Sequence, residues 1–245
     1  MIRSAFLSVA MMIAPNLLAR DRVLVVTATA GFRHDSIPTA EEVIAAIGEE
    51  TRWFDATFVR EEADMPAALS PEALANVKLV MFVNTTGELS PSSRAPLLAW
   101  IHDGGTFLGV HSASDTWHDW PDYIEMLGGE FESHPDQSLV SVVVRSRANA
   151  ATATLESPHP LFEEIYRFKN FDAARVDLLL SIDPSLPVAW TKRYGSGRVF
   201  YTALGHRIDV WTSPWFQQHL TGAIAWALHR EAPPKRRAAA PQSEE

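Results

Sequence analysis

The sequence of 245 residues contains no cysteine. This absence excludes disulfide bonds, thiolate metal sites and a cysteine nucleophile, although it leaves the cellular compartment open. Positive charge is also scarce, because 21 lysine and arginine residues stand against 30 aspartate and glutamate residues, which gives a formal net charge of -9. A nucleic-acid partner, whose phosphates require clustered positive charge, is therefore not expected.

The N-terminus carries an apolar run that is too short to span a membrane. Arg3 precedes this run, residues 5–13, and Ala19 is a small residue at a suitable cleavage position. A membrane span would need about 20 apolar residues. We therefore expect a signal peptide at residues 1–20, no membrane span and a periplasmic or secreted protein. The alternative is a wrongly set start codon, in which case the protein is cytoplasmic.

The rest of the chain has the composition of one large domain followed by a tail. Residues 231–245 combine prolines, basic residues and an alanine run that has nothing to bury, which is typical of a disordered tail. With 47% hydrophobic residues, the chain can bury a full core. The sequence therefore predicts a single domain at residues 21–230.

In the first half, valine-rich runs alternate with amphipathic segments, the pattern of a parallel sheet covered by helices on both faces. Strands are predicted at Arg22–Thr29, Phe54–Glu61, Val77–Asn84 and Thr106–Val110. A helix is predicted from Thr39 to Ile47, because Thr39 and Glu42 have the spacing of a capping box. Ser70-Pro71 and Ser90-Pro91 predict two further helix starts.

The second half has a different pattern. Residues 138–146 and 176–182 predict strands with no strong helix between them, and residues 187–206 predict a hairpin that turns at Gly195-Ser196-Gly197. A final helix is predicted from Pro214 to His229. The fold class is therefore α/β, a three-layer sandwich with a mostly parallel central sheet and an added antiparallel hairpin in the C-terminal half.

Several histidines follow predicted strands, and ligands of open α/β sheets bind beyond the carboxyl ends of the strands. The histidines in question are His34, His111, His134 and His206. Together they are candidate ligands of a divalent metal such as zinc, although no short His-x-x-x-His spacing supports this.

His111 lies in a segment with the layout of a nucleophile elbow. In residues 109–113, small residues flank a central side chain between a strand and a turn. An imidazole titrates near neutral pH and can act as base, acid or metal ligand. We therefore predict a catalytic role for His111; the alternative is a histidine that only hydrogen-bonds its turn.

His206 ends the hairpin strand and is the predicted catalytic partner of His111. A carboxylate would hold its tautomer, and Asp209 or Asp115 is available close by in the sequence, with Asp209 preferred. The predicted substrate-binding residues follow the same strand ends and include aromatic side chains suited to sugar rings; they are Arg33, His34, Glu88, Trp117, Trp120 and Trp211. The alternative for each tryptophan is apolar packing, and for Glu88 a solvated loop.

Four segments together resemble the ThuA-like family, named for a trehalose-utilisation protein of the class I glutamine amidotransferase-like superfamily. They are "GFRHDSI", "GGTFLGVHSASDT", "GGEFESHP" and "PVAWTKRYGSGRVFYTALGH", and the resemblance extends over residues 22–230. The resemblance implies a flavodoxin-like sheet and a role in the use of trehalose or related, oxidised sugars.

The chain departs from the superfamily pattern at two positions. Where the superfamily has its elbow cysteine this sequence has His111, and Ile208 occupies the position of the acid that follows the catalytic histidine. Hydrolysis of glutamine through a thioester is therefore excluded.

Three functions remain open. The first is a sugar-modifying lyase, isomerase or hydrolase that transfers protons through His111 and His206. The second is a metal-dependent hydrolase that uses the same cleft. The third is a non-catalytic sugar-binding module that kept the fold and lost its nucleophile. The sugar, the bond and the oligomeric state are not fixed by the sequence.

Overall fold

The computed structural model describes residues 19–183 and 185–231. Apart from their innermost residues, the predicted signal peptide and the predicted tail lie outside the described residues. Within the described ranges, no helix has the length and apolar character that crossing a membrane requires.

The described residues form eleven strands. Their bounds are Asp21–Val26 (β1), Phe54–Val59 (β2), Val77–Val83 (β3), Thr106–Val110 (β4), Glu130–Ser133 (β5), Ser138–Val144 (β6), His159–Glu163 (β7), Arg167–Lys169 (β8), Asp177–Ser181 (β9), Pro187–Tyr194 (β10) and Gly197–Thr202 (β11).

The same residues form seven α-helices. Their bounds are Ile37–Thr51 (α1), Met65–Ala68 (α2), Pro71–Leu74 (α3), Arg94–His102 (α4), Pro121–Leu127 (α5), Ile208–Thr212 (α6) and Pro214–Ala227 (α7). Short 3₁₀ helices lie at Glu62–Asp64, Pro91–Ser93, His111–Asp115 and Ala173–Arg175.

Nine of the strands make one sheet, in the order β2-β1-β3-β4-β11-β10-β9-β6-β7. The five strands from β2 to β11 are parallel, and the remaining four are antiparallel to their neighbours. The predicted fold class is confirmed, and the predicted hairpin is β10 and β11. The antiparallel part is larger than one hairpin, because β9, β6 and β7 extend it.

Alternation along the strands divides the core between the two faces of the sheet. Val23 and Val25 of β1 pack with α1 and α7, whereas Leu24 and Val26 pack on the opposite face with α4 and α5. Side chains of a strand point alternately to its two faces, so a strand that is apolar throughout must be covered on both. The result is the three-layer sandwich that the valine-rich runs predict.

Two predicted boundaries are wrong for local reasons. Helix α1 begins at Ile37 with Pro38 in its first turn, so Thr39 lies inside the helix and forms no capping box. Strand β1 ends at Val26, three residues before its predicted end. Beyond that point the chain leaves the sheet to form the first loop of the candidate site.

The region between residues 144 and 177 was predicted to hold no strong helix, and the structure has two short strands there. Strand β7 pairs with β6 at the edge of the large sheet. Strand β8 pairs with β5 in a separate two-stranded sheet. The short link between β7 and β8 contributes to the candidate site.

Candidate functional site

Strand β4 ends in a tight turn that presents His111. The residue has a φ of 51°, a region that costs a non-glycine residue about 1–3 kcal/mol. Gly109 leaves little room here, because a Cβ atom at that position would lie 3.1 Å from the side chains of both Ala113 and Tyr201. The elbow layout predicted from the sequence is present, and it leads into a 3₁₀ helix, His111–Asp115.

The neighbouring strand β3 ends in the same way. Val83 pairs with Val110, which puts Asn84 beside His111. The φ of Asn84 is 52°, and its backbone N–H donates to the carbonyl of Val110 at 3.2 Å. Asparagine tolerates this left-handed conformation better than most residues. Both chains therefore turn away from the sheet at the same point.

Four side chains from separate loops meet above this point. His34 follows β1, His111 follows β4, His206 follows β11, and Glu164 follows β7 directly. One ligand atom from each lies within 4.8 Å of the others. We call these four residues the histidine–glutamate cluster.

His111 lies at the centre of the cluster. Its Nε2 atom is 3.2 Å from Nε2 of His34 and 3.3 Å from Nδ1 of His206. The same atom is 3.5 Å from Oε2 of Glu164 and 2.9 Å from the hydroxyl oxygen of Tyr166. Its other ring nitrogen, Nδ1, lies 2.8 Å from the carbonyl oxygen of Ala203, which can only accept, so Nδ1 carries a hydrogen.

The environment of each group sets its charge. Burial, with the neighbouring His111 and His206, lowers the pKa of His34 to about 3, so His34 is a neutral imidazole. Burial opposes charge on Glu164, but the close imidazoles of His111 and His206 outweigh this and hold the pKa of the carboxyl below its usual range. The hydrogen bond to Glu164 raises the pKa of His206. The carboxylate is the negative charge around which the imidazoles are arranged.

A buried amide joins the loops beneath the cluster. The Asn84 side-chain nitrogen donates to Ser36 Oγ at 3.1 Å and to the carbonyl oxygen of Gly205 at 2.9 Å. Ser36 lies two residues after His34, and Gly205 directly precedes His206. One amide group therefore fixes the His34 loop and the His206 loop to the end of β3.

An open cavity of about 480 Å³ lies against the cluster, within the size range of small-molecule sites. His34 and His206 line it; the other lining residues are Phe32, Asp35, Ser36 and Arg207 of the same two loops, Gln137 between β5 and β6, and Ile208, Asp209 and Thr212 of α6. Phe32 is 66% exposed although it is a large aromatic residue. His111 is 0% exposed and lies beneath the cavity floor.

The structure brings together three of the four histidines proposed as ligands and places the fourth beside them. Nδ1 of His134 is 3.2 Å from Oε1 of Glu164, so His134 contacts the cluster through the carboxylate only. The fourth member of the cluster is therefore Glu164 and not the predicted His134.

The two carboxylates expected to orient His206 are paired with other residues. Asp209 accepts hydrogen bonds from Arg207 at 2.8 and 2.9 Å, and Asp115 is 2.7 Å from His118. The carboxylate that contacts His206 is that of Glu164, with its Oε2 atom 3.3 Å from Nδ1. Asp209 lines the cavity, but its short spacing from Arg207 favours a local ion pair, so it does not orient His206.

Five predicted substrate-binding residues do not line the cavity. Trp117 and Trp211 are fully buried and donate from their ring nitrogens to the backbone carbonyls of Leu89 and Gly205. The three others, Glu88, Trp120 and Arg33, have partners outside the cavity. Glu88 pairs with the guanidinium of Arg94, which also lies over the ring of Trp120. Arg33 donates to the carbonyl of Thr27. Of the predicted set, only His34 lines the cavity.

Sequence reasoning missed Glu164, Tyr166 and Asn84. Glu164 and Tyr166 follow β7, a short strand that contains proline and was not predicted. Asn84 was assigned to the end of a strand, where its positive φ gave no signal in the sequence. Residues 159–163 have no regular apolar alternation, so no local pattern pointed to Glu164.

A second polar network, centred on His118, lies away from the cavity. Its two ring nitrogens are each 2.7 Å from a carboxylate oxygen, one of Asp115 and one of Glu130. Lys169 and Asn170 contact the same Glu130. The network ties β5 and β8 to the 3₁₀ helix that follows His111.

We predict that Asn84→Gly loosens the two loops of the cluster. Glycine keeps the positive φ without strain, but the loss of the amide hydrogen bonds lowers the free energy of unfolding by about 1–3 kcal/mol. Hydrogen–deuterium exchange of residues 34–37 and 203–207 should accelerate. Asn170→Gly is the matched control, because Asn170 also has a positive φ, 55°, and donates through Nδ2 to Glu130. Unchanged exchange in Asn84→Gly would contradict the role of the amide.

We predict that the stabilisation from His118 depends on pH. Burial opposes its charge, but hydrogen bonds to Glu130 and Asp115 outweigh burial and raise the pKa of the imidazole. A histidine whose pKa is higher in the folded than in the unfolded protein adds to the free energy of unfolding. This contribution is complete below the unfolded pKa of about 6.5 and is lost as the pH rises through the folded pKa. Urea denaturation should therefore show a larger loss for His118→Gln at about pH 6 than at about pH 9. An equal loss at both would refute the prediction.

Comparisons with known proteins agree with the fold and with the resemblance. The ThuA family, described as "Trehalose utilisation", matches residues 22–227. A search of curated proteins gives no match.

Solved structures with this fold include two ThuA-like proteins. One, from Bacteroides uniformis, has a TM-score of 0.71 at 18% identity, with 91% of this chain and 95% of that chain covered. The other, from Parabacteroides merdae, has a TM-score of 0.70 at 17% identity, with 87% and 92% covered.

A β-galactosidase from Bacillus circulans has a TM-score of 0.55 at 15% identity, with 86% of this chain and 32% of that chain covered. At such identities the likenesses to solved structures concern the fold alone. The family match covers most of the chain, and the chain therefore belongs to the ThuA family of trehalose-utilisation proteins.

Proposed function

We propose that this protein is an enzyme that modifies a sugar, with the histidine–glutamate cluster as its reacting centre. The observation that carries the proposal is the convergence of three imidazoles and one carboxylate at the floor of a cavity. Trehalose utilisation, the description of the family, makes a carbohydrate the expected substrate class.

Catalysis explains the cluster better than binding alone. Buried titratable groups and left-handed backbone each cost stability, and both are concentrated at functional sites. Here the two coincide, since His111 is buried and has a φ of 51°. A sugar-binding module would need exposed hydrogen-bonding groups, and a fully buried imidazole would add nothing to it.

The cavity has the chemistry that a sugar requires. Asp35, Gln137 and Arg207 offer hydrogen-bonding groups, and the exposed ring of Phe32 offers an apolar face. Sugar rings combine hydroxyl groups with apolar C–H faces, so they match a wall of this composition. The ring of Phe32 is held edge-on against His34 at a centroid distance of 4.8 Å, which places it next to the cluster.

The reaction that suits this centre is proton transfer at a carbon next to a sugar carbonyl group. A base takes the proton from the carbon, and the C–H electron pair moves into an enolate whose oxygen becomes negative. Isomerisation follows where the deprotonated carbon carries a hydroxyl group: the hydroxyl proton moves to the enolate oxygen, the base delivers its proton to the former carbonyl carbon, and the hydroxyl-bearing carbon becomes the new carbonyl. Elimination follows where the next carbon carries a leaving group: the enolate re-forms the carbonyl and expels that group. Both outcomes need a proton acceptor and a positive charge beside the oxygen.

The cluster can provide the positive charge in two ways. The positive charge is either a proton held among the imidazoles or a metal ion bound by the same atoms. The groups that face the substrate are His34 and His206, since both line the cavity. His111 is buried beneath them, so its role in this proposal is to position the other groups and not to contact the sugar.

We predict that His206→Gln lowers turnover of keto-sugars by about 10²–10⁴-fold, because it removes a group at the reacting centre. The measurement is a product assay on disaccharides and their keto derivatives, with folding checked by circular dichroism. His102→Gln is the matched control, since His102 is exposed and lies in α4, before the amino end of β4. It should leave turnover unchanged.

The same assay can overturn the proposal. If the folded wild-type protein binds these sugars in calorimetry but forms no product from any of them, the chain is a binding module. If His206→Gln turns over as fast as the wild type, the cluster is not the reacting centre.

A further inference from the structure

The contacts within the histidine–glutamate cluster have the spacing of a metal coordination shell. Four of the six separations between its ligand atoms are 3.2, 3.3, 3.3 and 3.5 Å. In a tetrahedral site with bonds of about 2.0–2.1 Å, ligand atoms lie about 3.4 Å apart. The two remaining pairs, both of which involve His34, lie within 4.8 Å, so the imidazole of His34 would have to move inward for one central ion to bind all four atoms.

We infer that His34, His111, Glu164 and His206 bind one divalent transition-metal ion at the floor of the cavity. The ligand atoms are Nε2 of His34, Nε2 of His111, Oε2 of Glu164 and Nδ1 of His206. They come from four loops that are far apart in sequence, which is why no short ligand spacing is visible along the chain.

Hydrogen bonding alone accounts poorly for the position of His111. Its Nδ1 atom carries the hydrogen that faces the carbonyl oxygen of Ala203, so Nε2 of the neutral ring has a single lone pair. Nevertheless Nε2 lies within 3.3 Å of two imidazole nitrogens and of the Tyr166 hydroxyl. One lone pair can accept one good hydrogen bond, and the remaining nitrogens then oppose each other across a short distance. A shared cation would remove this conflict, because each ring nitrogen would then direct its lone pair to the ion.

The surroundings of the four residues resemble the outer shell of known metal sites. Histidine ligands usually donate their second ring nitrogen to a carbonyl or carboxylate, which fixes the tautomer. His111 does so to Ala203. The second oxygen of Glu164 is also held, at 3.2 Å from Nδ1 of His134. The orientations of His111 and Glu164 are thus set by residues outside the histidine–glutamate cluster.

The donor set narrows the choice of ion. Three imidazole nitrogens and one carboxylate oxygen suit zinc, iron, cobalt, nickel or manganese, whereas magnesium and calcium favour oxygen ligands. Since His34 and His206 line the cavity, the ion would lie next to the space where a substrate oxygen or water can approach. Catalytic zinc usually has three protein ligands and an open position, so with four protein ligands a substrate oxygen would have to bind as a fifth ligand.

Metal binding is independent of the proposed reaction, whereas a catalytic role of the ion rests on it. In that role the ion supplies the positive charge beside the sugar oxygen. The lone pair of His206 is then engaged. Asp209 is held by Arg207, which leaves Asp35 as the carboxylate of the cavity wall that can accept the proton.

The test uses the full chain without an affinity tag, stripped with a chelator and titrated with Zn²⁺ and with Mn²⁺ in a calorimeter. We expect one ion per chain. Glu164→Gln and His206→Gln should each weaken binding by at least 100-fold. His134→Gln should weaken it by about 10–100-fold, as expected for a residue that only orients a ligand. His118→Gln should leave binding unchanged, because His118 belongs to the separate network.

Two measurements keep the test decisive if a variant folds poorly. Thermal unfolding of the wild type should shift upward with one equivalent of ion, and bound Co²⁺ should give the visible absorption of a nitrogen and oxygen site. A folded wild type that binds neither Zn²⁺ nor Mn²⁺ would overturn the inference, as would undiminished binding by folded Glu164→Gln. One bound ion without turnover of any sugar would leave the inference standing and remove the proposed function. Full turnover by the stripped enzyme would remove the catalytic role of the ion.

Discussion

The parallel pairing of β4 between β3 and β11 is the constraint on which the site depends. Parallel strands deliver their carboxyl ends to one edge of the sheet, so the loops after β1, β3, β4 and β11 leave from the same place. The hydrogen bond from His111 to the carbonyl of Ala203, 2.8 Å long, then joins two of these loops directly. A slip of one residue in this register would turn His111 towards the opposite face of the sheet. The continuous apolar strands on both sides prevent such a slip, because it would also exchange the buried faces of the core.

A cluster of buried polar groups is costly, and the structure offsets this cost with hydrogen bonds to the backbone. The peptide group of Gly205 illustrates this. Its N–H donates to the buried carboxyl of Glu163 at 3.2 Å, and its carbonyl accepts from Asn84 and from the ring nitrogen of Trp211. Burial raises the pKa of Glu163, whereas the pKa of the neighbouring Glu164 is lowered, so the two adjacent carboxyl groups differ in their tendency to ionise. Each of these contacts fixes the backbone directly before His206, so the position of that imidazole is determined by the frame beneath it.

The sequence predicts the parallel half of the fold well, because its strands are buried on both faces and its helices have clear apolar stripes. The rule that ligands gather at strand ends therefore finds His34, His111 and His206. It does not find Glu164, because β7 is a short edge strand that starts with His159-Pro160 and lacks a strong pattern. It also misplaces Trp117 and Trp211, since nothing in the sequence separates a tryptophan that faces a cleft from one whose ring nitrogen bonds the backbone. Contacts between distant segments decide both cases, and local patterns do not contain them.

A histidine at the elbow makes demands that a cysteine would not. A thiol needs one partner, whereas an imidazole has two nitrogens, and the inner one must be satisfied inside the protein. The carbonyl of Ala203 meets that need, and it directs the outer nitrogen to the point where the other loops meet. Where the loops meet, three imidazoles lie close together, and a carboxylate among them stabilises any positive charge that they carry. No loop of the parallel strands supplies a carboxylate to the cluster. Glu164 and Tyr166 come from the link between β7 and β8, in the antiparallel half. The antiparallel extension of the sheet is therefore part of the site, since without it the elbow histidine would face its two neighbours with no carboxylate among them.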